Sequence, residues 1–253
     1  MKQILVTCAT SAMGSSYVNR ALQRGDRVFG LARNVDKLND LIESNNTNAF
    51  SSAALDFFSS DAIDNAIEAL KDNGKVFDEL LFIIPRIAPS AEVFPDDERW
   101  LETFNHYFIL PLRFMRELTS AGLLAQHAKI ALISGISSKV AMSNYAINNA
   151  VRSAWLGQAK TMALALAEQK ISVNTLSLGG VLTESYIAKL TEKAVAAGLS
   201  FEQQLELEVS NIPLKQYATI ENVCDALESL LGPMSNHMTG QNLVLDGGFI
   251  KVY

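Results

Sequence analysis

Cysteine, histidine and basic residues are all scarce in this chain, and each shortage removes a class of function. Two cysteines, Cys8 and Cys224, in 253 residues make no disulfide framework. Two free thiols in a reducing compartment are expected instead, which makes cytoplasmic the expected localisation. The three histidines, His106, His127 and His237, stand at no metal-ligand spacing with the cysteines or with acidic pairs, so no metal is expected. Lysine and arginine number 21 against 27 aspartates and glutamates, a net charge of −6. Non-specific nucleic-acid binding needs a basic face, so no nucleic-acid partner is expected. No apolar run reaches the length of a membrane span, about 18 residues. The opening Met1-Lys2-Gln3-Ile4-Leu5-Val6-Thr7 reads as a strand, without the apolar region and small-residue cleavage site of a signal peptide.

What is present is apolar: 49% of the residues are hydrophobic and 19% charged, enough for a large buried core. Short apolar runs alternate with stretches of helical period. Strands are expected at Ile4 to Thr7, Arg27 to Ala32, Ala53 to Asp56, Leu80 to Ile84, Lys129 to Ser134, Ile171 to Ser177 and Gln241 to Leu245. Helices are expected at Gly14 to Gln23, Asp36 to Ser44, after Ser60-Asp61, at Trp100 to Leu118 (with Pro111 inside it), Asn148 to Gln169 and Ile220 to Leu231. Strands that are apolar throughout are buried on both faces, and strand–helix alternation implies right-handed crossovers. The fold class predicted is α/β: a Rossmann-type, doubly wound parallel sheet of about seven strands with helices on both faces, in one domain over residues 1–253. The stretch 183–211, mostly helical, is an insertion between strand and helix, placed to act as a lid over a substrate.

The first strand runs into Thr7-Cys8-Ala9-Thr10-Ser11-Ala12-Met13-Gly14-Ser15-Ser16. A dinucleotide turn needs small residues so that its backbone can approach a pyrophosphate at a helix N-terminus. Thr7, Ala9, Ser11, Met13 and Gly14 are therefore candidate cofactor contacts. Only Gly14 remains of the usual glycines; Cys8 and Ala12 hold the other two places, and neither takes a positive φ freely. Two readings stay open: a reshaped phosphate cradle, or a turn that no longer binds a nucleotide. The second strand ends in Arg33, suited to the 2′-phosphate of NADP where a carboxylate would suit NAD. Asp56, followed by Phe57, closes the third strand where an adenine would lie.

Three further stretches carry a family resemblance. Ile171-Ser172-Val173-Asn174 through Gly180 and Thr183, Pro213 to Val223, and Thr239-Gly240-Gln241 through Asp246-Gly247-Gly248 resemble the short-chain dehydrogenase/reductase family over essentially the whole chain. That resemblance implies a nicotinamide cofactor and a tyrosine made more acidic by a fixed cation, so that a proton reaches oxygen as a hydride reaches carbon. Counting back from Val173-Asn174 puts the family's lysine at Arg152, its serine at Gly135, its usual tyrosine at Asn148 and its asparagine at Tyr107. The tyrosine is then Tyr145, with six residues between it and Arg152, a spacing that resembles that of the bacterial enoyl-acyl-carrier-protein reductases, which also do without the serine. Ser134 or Ser137 would substitute for that serine only if the loop shifts. Halohydrin dehalogenases, another branch, also carry arginine there and have lost the nucleotide site. Ile83-Ile84-Pro85-Arg86 stand where the family has a segment that approaches the cofactor, so Ile83 is a candidate contact, and two readings stay open for Arg86: it faces a phosphate or an anionic substrate, or the loop is simply repacked. Thr183 would meet the nicotinamide carboxamide.

These residues leave three functions open. The first is an atypical reductase of a small carbonyl or enone, using NADPH in preference to NADH, with Tyr145, Arg152 and Ser134 as candidate catalytic residues and Arg152 also holding the cofactor's ribose. The second is a non-redox enzyme using the Tyr145 and Arg152 pair, and the third a binding protein that keeps only the fold. The resemblance also implies a homodimer or homotetramer through the helices at Trp100 to Leu118 and Asn148 to Gln169. Phe104, Phe108 and Phe114 are expected in the core.

Overall fold

The strands form where apolar residues run together. The computed structural model describes residues 1–90, 92–143 and 145–251. β1 (Gln3–Thr7), β2 (Arg27–Ala32), β3 (Phe50–Ala54), β4 (Phe77–Phe82), β5 (Leu124–Gly135), β6 (Ser172–Leu178) and β7 (Asn242–Leu245) make one sheet in the order β3-β2-β1-β4-β5-β6-β7. Every neighbouring pair is parallel. In β1 and β6 nearly every residue is buried; β1 is largely apolar, whereas β6 also buries polar residues such as Asn174, whose Nδ2 donates to the Met238 carbonyl at 2.9 Å.

Helices α1 (Ala12–Gln23), α2 (Val35–Asn45) and α9 (Ile220–Leu231) cover one face of the sheet, with Tyr17, Val18, Leu38 and Leu227 in the core. Helices α3 (Ser60–Asp72), α5 (Leu110–Ser120) and α6 (Ala146–Ala165) cover the other. There Phe57, Phe82 and Phe114 pack edge-on and stacked, with centroids 5.7 to 6.4 Å apart. The order of strands reverses between β1 and β4, and that switch point opens a crevice beyond their carboxyl ends. Among the described residues no helix is long and apolar enough to cross a membrane.

Several elements differ from the sequence expectation: β3 ends at Ala54, so Asp56 lies beyond the strand it was expected to close, and β4 and α6 each start earlier and end earlier than expected. The single helix expected over Trp100 to Leu118 is α4 (Asp97–Phe104), a π-helical turn (Asn105–Ile109) and α5. Pro111 has no N–H for the carbonyl four residues back, and its ring crowds that carbonyl. The carbonyl belongs to Tyr107, and it accepts the indole N–H of Trp155 from α6 at 2.7 Å instead. β5 begins five residues before Lys129, because His127 at φ +68 and a register shift opposite Phe77 and Glu79 hide its first part from any simple pattern. The stretch 183–211 holds two helices, α7 (Glu184–Ala197) and α8 (Phe201–Glu208), which break at Gly198 with φ +66. Ser200 and Gln203 cap α8 reciprocally, and Lys193 of α7 pairs with Glu208 of α8 at 2.6 Å.

Candidate functional site

A cavity of about 820 Å³ lies at the carboxyl ends of the strands. The turn after β1, the segment after β4, the end of β5, the start of α6, the segment after β6 and the α7–α8 pair all reach it. Its walls are mostly apolar, from Ile84, Pro85, Met142, Trp155 and Phe249, with a few polar groups converging between them.

The turn keeps a glycine-like backbone without the glycine. Cys8 stands at φ +48, in the left-handed region that L-residues avoid. Its amide neighbours are tied: Ala9 N–H donates to the Leu31 carbonyl at 2.9 Å and Ser11 N–H to the Cys8 carbonyl at 2.9 Å. Ser11 caps α1, its Oγ accepting from Gly14 N at 3.1 Å. A Cβ on Gly14 would collide with the Cys8 carbonyl and lie 3.0 Å from both Ala9 Cα and Ser11 Oγ, so that glycine is required by close approach. Cys8, Ser11, Ala12 and Met13 line the cavity, where the first amides of α1 have no acceptor within the helix. Burial pushes the Cys8 thiol up to about 12, with Arg33 opposing and Asp56 assisting.

The other residues expected at a cofactor divide by position. Thr7 is fully buried, and its hydroxyl donates to the Ile83 carbonyl at 2.7 Å while accepting from Ile83 N at 2.8 Å. It clamps β1 to the segment after β4, and Ile83 lines the cavity. Thr7, Ala9, Gly14, Arg33, Asp56 and Phe57 are outside the described lining. Arg33 is exposed beyond β2, its guanidinium 5.9 Å from the Phe58 ring centroid. Asp56 accepts from Phe58 N at 3.0 Å, and the Phe57 side chain is core. Thr183 lines the cavity while capping α7, its Oγ1 accepting from Tyr186 N at 3.2 Å.

At the other end of the cavity, Tyr145 precedes α6 and Arg152 follows two turns later, so both side chains reach the lining. Arg152 Nη1 donates to Ser137 Oγ at 2.9 Å. Burial lowers the arginine's pKa from its usual value, the Arg86 charge lowers it further, and Tyr145 acts in the opposite sense. The guanidinium rests on Gly135: a Cβ there would collide with Nη1 and lie 2.7 Å from Cζ. Ser134, opposite Ser177 on β6, lines the same cavity, and its Oγ is buried without a partner among the described residues. Tyr107 packs half-buried against Phe58, centroids 5.2 Å apart, away from the lining.

Sequence reasoning missed two groups. Asn148, counted to the place of the usual tyrosine, is 1% exposed in the lining. Its Nδ2 donates to the Ile87 carbonyl at 3.1 Å, and its Oδ1 has no partner among the described residues. A polar residue on the buried side of a helix was the available signal. Tyr186 and Tyr217 also line the cavity, their hydroxyls 3.2 Å apart, and the Tyr217 ring lies on Gly180. Burial and its neighbours Tyr186 and Glu208 raise the Tyr217 pKa, so it stays a neutral phenol. Only folding brings these residues together.

A parallel sheet of this order, with its cavity beyond the β1–β4 switch point, defines a doubly wound nucleotide-binding architecture. Residues 8–250 match the family model described as "Enoyl-(Acyl carrier protein) reductase", and the chain belongs to the short-chain dehydrogenase/reductase family. It is similar to the L-xylulose reductase of Mesocricetus auratus, 26% identical over 254 residues, which cover 98% of this chain and 96% of that one. Among solved structures it resembles the L-sorbose reductase of Gluconobacter frateurii complexed with NADPH and L-sorbose: TM-score 0.89, 20% identity, covering 100% of this chain and 97% of the other. It also resembles an NADPH-bound short-chain oxidoreductase of Pseudomonas aeruginosa containing an atypical catalytic center: TM-score 0.84, 20% identity, covering 100% and 98%.

Proposed function

We propose that this chain is an NADPH-dependent reductase of a small carbonyl or enone compound, with Tyr145 as proton donor and Arg152 as the fixed cation beside it. The observation that carries this reading is that Tyr145, Arg152 and the first turn of α1 open on one cavity. Two features make a dinucleotide fit. Cys8 keeps the left-handed backbone that a phosphate turn uses, and Gly14 lets that turn press against the helix start. The reductases among its relatives, two of them with NADPH in the structure, support the same cofactor.

Ser11, Ala12 and Met13 would hold the pyrophosphate through main-chain and hydroxyl donors, Arg33 the 2′-phosphate, Asp56 with the main chain of Phe57 the adenine, and Ile83 and Thr183 the nicotinamide end. The chemistry supplied by a bound reduced nicotinamide is a hydride to carbon. The Tyr145 hydroxyl donates the proton to oxygen, and the Arg152 charge stabilises the phenolate left behind. Ser134, with an unpartnered hydroxyl, orients the substrate. The α7–α8 pair serves as the lid, tied by Lys193 and Glu208. NADH is the weaker alternative cofactor. A homodimer or homotetramer, in the cytoplasm, belongs to the same proposal. Leu101, Ile109 and Leu164, all more than half exposed on α4, the π turn and α6, are the surface that supports such an assembly.

Titration with NADPH and NADH, followed by fluorescence, tests the reading. Saturable NADPH binding is expected, stronger than NADH binding; binding of neither removes the reductase and leaves the non-redox and binding-protein readings. Tyr145→Phe is expected to lower kcat by about 100-fold or more with unchanged melting temperature, the scale of a lost general acid. Unchanged kcat excludes Tyr145 as the donor.

A further inference from the structure

We propose that the notch left by the missing side chain of Gly135 seats the Arg152 guanidinium as an oxyanion site, where it binds the substrate oxygen that becomes negative. Three observations carry this. The guanidinium occupies the space of a Gly135 Cβ, with Cζ 2.7 Å and Nη2 3.2 Å from that position. One of its five N–H groups donates to Ser137, which is 2% exposed, so the plane is held. Its electrostatic neighbours are the Tyr145 hydroxyl and the Arg86 guanidinium, and among the described residues no carboxylate pairs with it.

A largely buried cation without a counter-charge is costly, and that cost falls when an anionic oxygen arrives. Donors fixed before the reaction, in an apolar-walled cavity, favour the developing charge over the neutral carbonyl. The substrate class that follows is a ketone, aldehyde or enone whose oxygen becomes an alkoxide or enolate. Hydride addition at carbon converts the C=O π pair into the oxygen's negative charge. The guanidinium binds that oxygen, Tyr145 delivers its proton, and the phenolate recovers one from solvent. Gly135 is the positioning residue. Its backbone, φ −128 and ψ 163, accepts any side chain, so the glycine is there for space and not for conformation. The inference rests on the reductase reading for the identity of the oxygen, but the anion site is testable without cofactor.

The probe is 4-nitrophenol, whose two ionisation states differ in absorbance. The wild-type protein, without nucleotide, is expected to bind the phenolate about tenfold more tightly than the phenol, lowering the bound probe's apparent pKa by about one unit. Gly135→Ala strikes only the end of a flexible side chain, so it is expected to fold normally while displacing the guanidinium. It and Arg152→Met are both expected to abolish the preference, with Arg152→Lys retaining part of it. Equal affinity for the two states in the wild type, a preference that survives in Gly135→Ala and Arg152→Met, or no binding of the phenolate overturns the proposal. A protein that prefers the phenolate but binds no NADPH keeps the site and loses the reductase reading. One that binds NADPH and shows no preference does the reverse.

Discussion

The turn after β1 and the carboxyl end of β5 both reach the cavity, and at each the residue differs from the one the family resemblance implies, Cys8 for a glycine and Gly135 for a serine. They depart in opposite directions. At the turn Cys8 stands where the family resemblance implies a glycine, and its backbone has the left-handed shape, φ +48, despite the side chain. At the end of β5, Gly135 stands where the family resemblance implies a serine, with an unstrained backbone, and Arg152 takes the volume a side chain would fill. The first change is absorbed as conformational energy and leaves the shape intact. The second leaves room for a charged group, and on the proposal above that group sets what the cavity binds. A residue change matters to function less by its severity than by whether backbone or side chain takes up the difference.

The largest effect that would break this comparison is at Gly14. An added Cβ meets the Cys8 carbonyl, a backbone atom that cannot yield. Gly14→Ala is expected to destabilise by about 1–3 kcal/mol, as overpacking does, despite alanine's better helix propensity, and to weaken nucleotide binding. Thermal melts and the NADPH titration measure both; an unchanged protein would mean the turn is slack. Arg33→Ala is expected to weaken NADPH binding by about 10- to 100-fold, the scale of lost charge-assisted hydrogen bonds, and to leave NADH binding alone. Equal losses for both nucleotides would take the 2′-phosphate away from Arg33. Gly135→Ala sharpens the contrast with Gly14→Ala: its melt should shift by no more than about 0.5 kcal/mol equivalent, although its Cβ also meets an occupied space. The smallest effect is at Cys8. Its thiol is held protonated by burial, with a pKa raised from 9.0 to about 12. The native state therefore binds more protons than the unfolded one in that window. Its contribution to stability is complete below pH 9 and declines as the pH rises toward 12. Iodoacetamide should label Cys8 slowly at pH 8 in the folded protein and readily after denaturation; equal rates would place the thiol in solvent.

Most of the fold was legible because it is written in local periodicity. β1 and β2 are largely apolar runs, and α1, α3 and α9 carry capping residues and apolar stripes where the structure has them. The illegible parts have non-local causes. The π turn before α5 follows from Pro111 together with Trp155, which comes from another helix to take the released Tyr107 carbonyl. The first half of β5 is a strand because β4 lies beside it. Of the candidate site, Tyr145, Arg152, Ser134, Ser11, Met13, Ile83 and Thr183 meet in the cavity lining, whereas Asn148, whose Oδ1 has no partner among the described residues, and the Tyr186–Tyr217 pair had no motif to announce them.

By itself the sequence determined the order of strands and helices, the parallel sheet and the family, since these depend on side chains spaced a few residues apart along the chain. Tertiary structure alone decided that the Arg152 guanidinium lies in the notch at Gly135 and that Cys8 bears a glycine's backbone angle. Both outcomes are settled by close packing between segments distant in the chain, where a few tenths of an ångström decide which atom occupies a space.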